Sequence, residues 1–348
     1  MICISIQKSK TTEKFVHQSV LPEETLFWLN CQKGLVYIDA TVGGAGHSKE
    51  IASRIYPEGR LIALDVDPVA LEIAKENLAR YHDIVTILQT NYSNIPEILK
   101  NLNIEKITGG ILFDLGASYY QLTSAERGFS FLKEAPLDMR FDPENPLTAY
   151  DVVNSYSEKK LVEIFQNYGE ERFSKRIARK IVEERKKQPV KTTTQLADIV
   201  KTTVPYSKYK IHPATRVFQG LRIFVNNELE NLEKTLKQII PLLEKDARIV
   251  VISFHSLEDR LVKNIFKYYS LNREDSSGQQ RVYQTRQLEI LTKKPVIASA
   301  DEIKRNRSSR SAKLRAAKKI SEVSSTEGLE FYDSAKHQRK SKKEREFT

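Results

Sequence analysis

The chain has 348 residues, of which 40% are hydrophobic and 29% charged, and this balance excludes a wholly disordered chain and a membrane-protein composition. Length alone favours about two domains, because a single core rarely grows beyond ~250 residues. The formal net charge of +11 suits a polyanionic partner.

The apolar runs and the first residues give no sign of a membrane or of export. The opening "MICISIQKSK" lacks the positive start and longer apolar region of a secretory signal, and no apolar run approaches the roughly 18 residues of a membrane span. Cys3 and Cys31 form no CxxC pair, and the histidines never adopt HExxH spacing. We therefore expect a cytoplasmic protein with no membrane partner, no disulfide framework and no bound metal.

Residues 34–115 alternate short apolar runs with amphipathic segments. The runs "LVYI", "RLIAL", "IVTIL" and "GGILFDLG" are rich in β-branched residues and nearly all apolar, as expected of strands buried on both faces. The segments between them, such as "PVALEIAKENLARY", have helical spacing. Strands alternating with helices predict an α/β fold with a mostly parallel, Rossmann-like sheet.

The first strand-to-helix connection is "DATVGGAGHS", residues 39–48. In doubly wound sheets, ligands lie outside the carboxyl ends of the strands, beside this turn. Gly43, Gly44 and Gly46 would let the backbone approach a ligand, and a helix beginning near His47 would direct N–H groups at it. The alternative is that the glycines only form a tight turn.

Carboxylates at the strand ends indicate what kind of ligand this is. Asp65 ends the next strand, where an acidic residue accepts hydrogen bonds from ribose hydroxyls, whereas Asp67 before Pro68 is typical of a helix N-cap. Lys49 stands where a dinucleotide fingerprint requires its third glycine, which disfavours an NAD oxidoreductase. Asp39, just before the glycines, is instead typical of S-adenosylmethionine enzymes.

The fourth strand ends at Asp114, where a cofactor and a substrate would meet in this architecture. Enzymes that methylate exocyclic amines commonly have a D-P-P-Y-like motif here, but this chain has D-L-G-A. Asp114 and the backbone carbonyls of residues 115–118 are the candidate proton acceptors, with the alternative that Asp114 only binds the cofactor. Tyr119, Tyr120 and Phe129 are candidates for holding an unstacked base, although each is also a candidate core residue, and for Phe129 the core is the favoured interpretation.

The strand pattern then stops, and residues 125–212 are helical and charged, as in "SEKKLVEIFQNYG", "ERFSKRIARKIVEERKK" and "TTTQLADIVKTTV". The last segment begins with threonines suited to an N-cap and a glutamine suited to a capping box. We predict a helical insert at 125–212, with an RNA-recognition role, inside a discontinuous domain formed by residues 1–124 and 213–320. Residues 321–348 form a polar, basic tail that we expect to be disordered.

The sheet pattern resumes with "ARIVVISFHSLEDRLVKNIF", a strand, a short turn and a helix. Ser253 and His255 follow the strand and are expected to shape the substrate cleft, because no G-x-S-x-G hydrolase motif is present. Glu258 and Asp259 have the simpler interpretation of opening the next helix. His17 is ambiguous in role, and so is Glu23.

Basic side chains are concentrated near the end of the globular part. Residues 304–319, "KRNRSSRSAKLRAAKK", contain eight basic residues and no acidic one. They predict either a phosphate-binding surface or a solvated segment; charge alone does not separate the two, and the arginines spaced among serines slightly favour phosphate contact. Arg140, Arg216 and Arg222 likewise have two interpretations, contact with RNA phosphates or internal ion pairs.

Several ordered blocks together make the sequence specific. They are "HQSVLPEE", "DATVGGAGHS", "DVDPVALEIAKENL", "FDLGASYYQLTSAERGFSF", "PLDMRFDP", "YGEERFSKRIARKIVEER", "HPATRVFQGLRIFVNNELENLE", "VVISFHSLEDRLVK" and "RSSRSAKLRAA". With these blocks, residues 15–320 resemble the bacterial 16S ribosomal RNA (cytosine-N4) methyltransferases, the MraW/RsmH-like family. The resemblance implies a class I S-adenosylmethionine-dependent methyltransferase fold interrupted by an inserted helical domain.

The resemblance also implies an activity, a cofactor and a partner. The activity is methylation of the N4 amine of a cytosine in the decoding region of 16S rRNA, with S-adenosyl-L-methionine as cofactor and the small ribosomal subunit as partner. A homodimer is left open, and the alternative function is a non-catalytic RNA-binding ribosome assembly factor that retains the cofactor pocket. The family's cofactor-binding positions correspond to Ala45, Gly46, His47, Asp65, Tyr92, Asp114 and Gln121.

This sequence departs from the family in two places. The family usually has two serines and a proline after its D-L-G-x, but here only Ser118 remains and Tyr119 and Tyr120 follow. Tyr92 stands where phenylalanine is common. The first departure puts any catalytic role of the missing serine in doubt.

Overall fold

The computed structural model describes residues 19–118, 120–121, 124–204, 212–275 and 282–321. The predicted tail beyond residue 321 therefore lies outside the described residues, as do the candidates His17 and Tyr119. Among the described helices, none is long and apolar enough to cross a membrane.

The described strands are β1 Val36–Asp39, β2 Arg60–Asp65, β3 Val85–Gln89, β4 Gly110–Asp114, β5 Arg248–Ser253, β6 Arg273–Asp275, β7 Val282–Gln284, β8 Leu288–Ile290 and β9 Lys313–Lys319. Seven of them form one sheet in the order β3–β2–β1–β4–β5–β9–β8. The first five strands in this order pair in parallel, and only β9 runs antiparallel to its neighbours. The predicted Rossmann-like, mostly parallel α/β fold is confirmed.

The described helices are α1 Pro22–Leu29, α2 Gly46–Ile55, α3 Pro68–Leu78, α4 Ile95–Asn101, α5 Ala149–Ser155, α6 Glu158–Asn167, α7 Ser174–Arg185, α8 Thr193–Thr203, α9 Ala214–Val225, α10 Glu228–Ile239, α11 Ser256–Tyr269 and α12 Ala300–Arg305. Two predicted caps are confirmed. Asp67 accepts the N–H of Val69 at 3.1 Å, and Thr192 and Gln195 form a capping box at the start of α8. These side chains satisfy N–H groups that have no partner inside the helix.

Both faces of the sheet are covered by helices. One apolar cluster packs β-strand side chains such as Phe113 against α4, α10 and α11, and a second packs α1, α2 and α3 against the opposite face. This burial explains why the strands are nearly continuous apolar runs rather than alternating ones. Because β1 to β5 are parallel, their carboxyl ends all meet at one edge of the sheet.

A third apolar cluster forms the core of the helical insert. It includes Ile177 and Ile181 of α7, with Phe173 packed at its margin. Helix α9 contributes Val217 and Leu221 to this same core, whereas the next helix, α10, packs on the sheet. The boundary predicted at residue 212 thus separates α9 from the side chains that it packs against, because periodicity reveals a helix but not its partner.

The insert is tied to the sheet domain by charged contacts. Glu170, just after α6, accepts hydrogen bonds from Ser256 at 2.6 Å and from Arg260 at 2.9 Å, both on α11. Arg127, at the start of the insert, lies 2.9 Å from the fully buried carboxylate of Asp67. These contacts fix the insert over the carboxyl edge of the sheet.

Candidate active site

A cavity of about 540 Å³ opens at the carboxyl edge of the sheet, between the strand ends and the helical insert. Its walls include the glycine loop, the ends of β2 and β4, and Phe141 and Asn226 from the insert side. This volume is in the range of pockets that bury a small organic ligand. Of the predicted cofactor-binding residues, those lining the cavity are Gly46, His47, Asp65, Tyr92, Asp114 and Gln121.

The glycine loop has the conformation that its small residues allow. Gly43 has a φ of +48°, and its N–H donates to Asp65 Oδ2 at 2.9 Å. Gly46 starts α2, and a Cβ there would overlap Ser19 Oγ, so a larger side chain requires Ser19 to move. Ala45 is fully buried with a φ of 62° and does not line the cavity, and its N–H donates to the Val42 carbonyl at 2.7 Å.

Asp39 holds the two ends of the glycine loop through hydrogen bonds. Its Oδ2 accepts the Ser48 hydroxyl at 2.7 Å and its Oδ1 accepts the N–H of Thr41 at 3.2 Å. The side chain is 1% exposed and lies outside the cavity wall. Burial raises the pKa of Asp39 to about 6, although the Ser48 and Thr41 hydrogen bonds oppose the shift. Asp39 therefore supports the loop rather than touching a ligand in this cavity.

Asp65 lies at the end of β2, facing the cavity. Its Oδ1 accepts the N–H of Asp67 at 3.0 Å, and its Oδ2 accepts the Gly43 N–H. Burial raises the pKa of Asp65 to about 6, while the two N–H groups favour its charged form. Each carboxylate oxygen accepts more than one hydrogen bond, so Asp65 can hold the loop and still accept from ligand hydroxyls.

Gln121 lines the cavity but both ends of its amide are engaged. Nε2 donates to Asp67 Oδ2 at 2.8 Å, and Oε1 accepts the Ser118 N–H at 2.9 Å. The amide therefore links the segment after β4 to the start of α3. In this arrangement Gln121 fixes the shape of the wall, and its role as a cofactor-binding residue stays a prediction.

Asp114 ends β4 and faces the same cavity as Asp65. Its backbone N–H donates to Thr41 Oγ1 at 2.7 Å, and its Oδ2 lies 3.7 Å from His47 Nε2. Within the described residues, the buried Oδ1 has no hydrogen-bond partner. Burial, aided by the charges of Asp39 and Glu258, raises the pKa of Asp114 to about 8. Such a carboxyl group can exchange a proton near neutral pH.

Tyr92 follows β3 and forms another part of the cavity wall. Its ring meets the ring of Phe113 edge-on, with centroids 5.6 Å apart. Burial and the nearby charges of Glu228 and Glu258 raise the pKa of its hydroxyl well above the usual value. A flat, neutral aromatic surface at this strand end suits a heterocyclic base.

A buried charged cluster lies at the insert side of the cavity. Arg222 pairs with Glu228 through two bonds of 2.9 and 3.0 Å, and His255 Nε2 lies 3.1 Å from Glu258 Oε1. Burial opposes ionisation of Glu258, but His255 and Arg222 outweigh it and lower the pKa of that carboxyl. Burial raises the pKa of Glu228 despite Arg222.

The described residues include one set of donors close enough for a metal ion, Glu228, His255 and Glu258, whose donor atoms lie within 4.8 Å of one another. Arg222 forms an ion pair with Glu228, and His255 and Glu258 lie in contact with each other. The absence of a metal therefore stays a prediction. His255 and Glu258 also form the capping box of α11, so the predicted helix-opening role of Glu258 is confirmed.

The other candidates have structural contacts. Phe129 is buried in the insert core and stacks on Phe141 at 5.4 Å, while Tyr120 is 46% exposed and lies off the cavity wall. Ser253 donates to the Lys313 carbonyl at 3.2 Å. Asp259 pairs with Arg315 at 2.6 Å. Glu23 is exposed in the first turn of α1.

Of the three arginines with two interpretations, Arg140 and Arg222 form internal ion pairs and Arg216 forms an internal hydrogen bond. Arg140 forms a bidentate contact with Asp138 at 2.8 and 2.9 Å, and Arg222 pairs with Glu228. Arg216 donates to the Glu170 carbonyl at 3.2 Å. These contacts favour the structural interpretation for all three.

The basic segment 304–319 divides into an exposed part and a buried part. The exposed basic side chains are Lys304, Arg305, Arg307 and Arg310. The other basic side chains of the segment lie in β9, where Arg315 pairs with Asp259 and Lys319 is 1% exposed. Lys319 Nζ donates to Gln287 Oε1 and to the Ile240 carbonyl, both at 2.9 Å, and burial lowers its pKa to about 8. Neither interpretation, a phosphate-binding surface or a solvated segment, holds for Arg315 and Lys319, which are buried in β9.

Some cavity residues were not identified from the sequence. They are Ser19, Phe141, Asn226, Phe254, Arg307, Ser308 and Ser311. Their positions depend on contacts between distant parts of the chain, such as the bond from the Phe141 N–H to Asn226 Oδ1 at 2.7 Å. Among these residues, only those of "RSSRS" were indicated by a sequence pattern, because they belong to the basic run near the end of the domain.

Comparison with known proteins shows the family of this chain. Residues 14–320 match the family model described as the MraW methylase family. The chain is 43% identical over 319 residues to ribosomal RNA small subunit methyltransferase H of Brevibacillus brevis, covering 89% of this chain and 100% of that one. It is 48% identical over 306 residues to the protein of the same name from a Sulfurihydrogenibium species, covering 87% and 99%.

Among solved structures, an rRNA methylase from Streptococcus thermophilus aligns with a TM-score of 0.38 and 10% identity, covering 87% of this chain and 98% of that one.

Proposed function

The chain belongs to the MraW methylase family, and from this premise we propose that it transfers a methyl group from S-adenosylmethionine to the N4 amine of a cytosine in the decoding region of 16S rRNA. The observation that carries the proposal is that Asp65 and Asp114, at the ends of β2 and β4, line one cavity. Asp65 is placed for ribose hydroxyls and Asp114 for the reacting groups.

The residues present fit the cofactor. The cavity of about 540 Å³ has carboxylates at two strand ends and the aromatic ring of Tyr92 at a third. The glycine loop brings the first N–H groups of α2 to the wall, where they suit the carboxylate of an amino-acid tail. Tyr92 suits the adenine, and Asp65 the ribose. Bound S-adenosylmethionine supplies a methyl group activated by a sulfonium.

The protein then has two tasks, positioning the amine and accepting its proton. The N4 lone pair is delocalised into the cytosine ring, so attack needs the nitrogen held in line and at contact distance. Asp114 Oδ1, buried and without a partner among the described residues, can accept a hydrogen bond from the amine and then its proton. The pKa of Asp114, raised to about 8 by burial, suits proton acceptance near neutral pH.

The target base must leave its stack to reach Asp114. The cavity opens between the sheet edge and the insert, and Phe141 and Phe254 are aromatic side chains in its wall. Aromatic faces are the usual surfaces against which an extruded base stacks. This supports a base entering from the insert side, with the helical insert contributing to RNA recognition.

Incubating the protein with methyl-labelled S-adenosylmethionine and small ribosomal subunits from a strain that lacks the enzyme should yield labelled N4-methylcytidine on nucleoside analysis. Subunits from a strain that contains the enzyme are the matched control and should accept little label, because their target is already methylated. Cofactor binding without product in any subunit or naked RNA would contradict the proposal and favour the non-catalytic assembly factor.

Asp65→Asn is expected to weaken S-adenosylmethionine binding by about 10- to 100-fold, because hydrogen bonds to a charged group are each worth roughly 1.5–3 kcal/mol. The amide would also direct N–H groups at either Gly43 or Asp67, whose own N–H groups now donate to the carboxylate. Titration calorimetry with the cofactor measures the affinity.

The control for this variant is Asp83→Asn, an aspartate that is 65% exposed and precedes β3 at the opposite edge of the sheet. Its cofactor affinity should equal that of the unmodified protein. Equal affinities for both variants would exclude Asp65 as a cofactor-binding residue.

A further inference from the structure

A second, smaller cavity adjoins the proposed active site. It has a volume of about 310 Å³ and is lined by residues that include Phe254, Ile297, Arg310, Ser311 and Lys313. We name it the Phe254 groove. Phe254 and Ser311 line both cavities, so the groove is continuous with the wall of the active site.

The groove has exposed cationic side chains. Arg310 is exposed, and in the described parts of the chain its guanidinium forms no ion pair or hydrogen bond. Lys313 Nζ lies 3.5 Å from Asp259, whose other oxygen is bound more closely by Arg315 at 2.6 Å. Arg310 thus presents an uncompensated positive charge beside the cavity, which attracts an anion.

Arg307 and Arg310 are displayed together. Both belong to a 3₁₀ helix, Arg307–Ser311, which is capped by Asn306. Residues three apart in a 3₁₀ helix lie on the same side, separated by about 6 Å along the axis. Arg307 lines the active-site cavity and Arg310 lines the groove, so this 3₁₀ helix places one arginine at each of the two cavities.

The groove also offers apolar surfaces for a base. The Phe254 ring lies beside the loop after Asp114. A Cβ placed on Gly116 would be in van der Waals contact with Phe254 Cδ2, at 3.5 Å. Ile297 is 65% exposed on the groove wall. An aromatic face, an aliphatic contact and adjacent arginines are the combination that binds single-stranded nucleic acid, by stacking of bases and neutralisation of phosphates.

We propose that the Phe254 groove binds the nucleotide next to the target cytosine in an unpaired RNA segment, with Arg307 and Arg310 contacting the phosphates between and beside the two nucleotides. This inference rests on the proposed function, because it takes the target base to occupy the active-site cavity. Phe254 would then separate the two bases, and the bound neighbour would keep the target out of its stack.

The first test is the salt dependence of binding to unmethylated small subunits, with full-length protein. Arg310→Gln should reduce the slope of log K against log[salt] by about 0.7, the value for one phosphate contact of a single strand. The KM for subunits should rise roughly 5- to 10-fold, with little change in kcat or in cofactor affinity. The matched control, Arg80→Gln, removes an exposed arginine that precedes β3, at the opposite edge of the sheet, and should change neither.

The second test locates the nucleotide. The photocrosslinker p-benzoylphenylalanine in place of Ile297 should crosslink to the nucleotide adjacent to the methylated cytosine, mapped by primer extension. The same crosslinker in place of Leu271, which is 43% exposed after α11, should not. Equal salt slopes for the Arg310 and Arg80 variants, or crosslinks only to remote nucleotides or ribosomal proteins, would overturn the proposal.

The two proposals fail in different ways. If the unmodified protein binds subunits but forms no N4-methylcytidine, the proposed activity is wrong, whereas the salt slope of the Arg310 variant still reports whether the groove contacts a phosphate. If methylation proceeds but the Arg310 variant keeps the full salt slope, the activity stands and the groove assignment is wrong.

Discussion

Replacing Asp114 by asparagine is expected to lower kcat for subunit methylation by about 10²- to 10⁴-fold, the contribution of a positioned proton acceptor. The amide preserves size and can bond to the amine, but it cannot take a proton. Asp114 Oδ1 is the buried acceptor at the end of β4 that has no partner among the described residues. Single-turnover methylation with excess enzyme isolates this step from subunit release.

The pH dependence separates proton acceptance from simple cofactor binding. The pKa of Asp114 is raised to about 8 by burial and by the charges of Asp39 and Glu258. The single-turnover rate should therefore rise with pH and level off above about 8, as the carboxylate form accumulates. Asp114→Asn should abolish this rise at every pH where the protein is folded.

Asp39→Asn is the matched control, because Asp39 is buried nearby but lies outside the cavity wall. The Asp39→Asn variant should keep most of the single-turnover rate. Because the charge of Asp39 helps to raise the pKa of Asp114, removing it should shift the midpoint of the rate's pH profile to a lower pH than in the unmodified protein. Two results together would exclude Asp114 as the proton acceptor. One is a single-turnover rate for Asp114→Asn within about tenfold of that of the unmodified protein, and the other is a rate of the unmodified protein that does not change from about pH 6 to 9.

The same raised pKa has a consequence for stability. Between about pH 4 and 8 the folded protein keeps the Asp114 proton while the unfolded chain loses it, so the free energy of unfolding falls as pH rises through this window. Asp114→Asn removes this contribution, and its cofactor-free form should lose less stability over the same window. Urea unfolding at several pH values measures the difference.

The strand ends were predictable because the strands are unambiguous. Asp39, Asp65 and Asp114 each end an apolar, β-branched run, and parallel strands place their carboxyl ends at one edge. The sequence could not reveal that Asp39 would point into the loop while the other two line the cavity. That division depends on the positions of Ser48 and of the whole glycine loop in three dimensions.

The basic segment shows where sequence patterns fail. Lys319 and Arg315 belong to a run that predicts a solvated or phosphate-binding surface, yet both are buried in β9. Their partners, Gln287 and Asp259, are 32 and 56 residues away in the chain. Local composition contains no information on such contacts, whereas the short exposed part with Arg307 and Arg310 keeps the predicted character.

Removing the guanidinium of Arg127 is expected to lower the free energy of unfolding by about 3–5 kcal/mol, because Asp67 would stay buried without its cation. Arg127 Nη1 lies 2.9 Å from Asp67 Oδ2, and the Asp67 side chain is fully buried. Nη2 donates to the carbonyls of Arg140 and Phe141 at 3.0 Å. Arg127→Met therefore breaks an ion pair between the insert and the sheet domain, and it removes the hydrogen bond to the carbonyl of Phe141, a residue of the cavity wall.

Urea unfolding of the full-length protein measures the change, with Arg179→Met as control. Arg179 is also paired with a glutamate, Glu158 at 3.8 Å, but is 72% exposed, so its loss should cost no more than about 0.5 kcal/mol. Asp67→Asn keeps a good N-cap for α3 while removing the charge, and in combination with Arg127→Met it should cost less than the sum of the two single changes. Additive costs would mean that the two side chains act independently, and the insert would then be fixed by the Glu170 contacts with α11 instead.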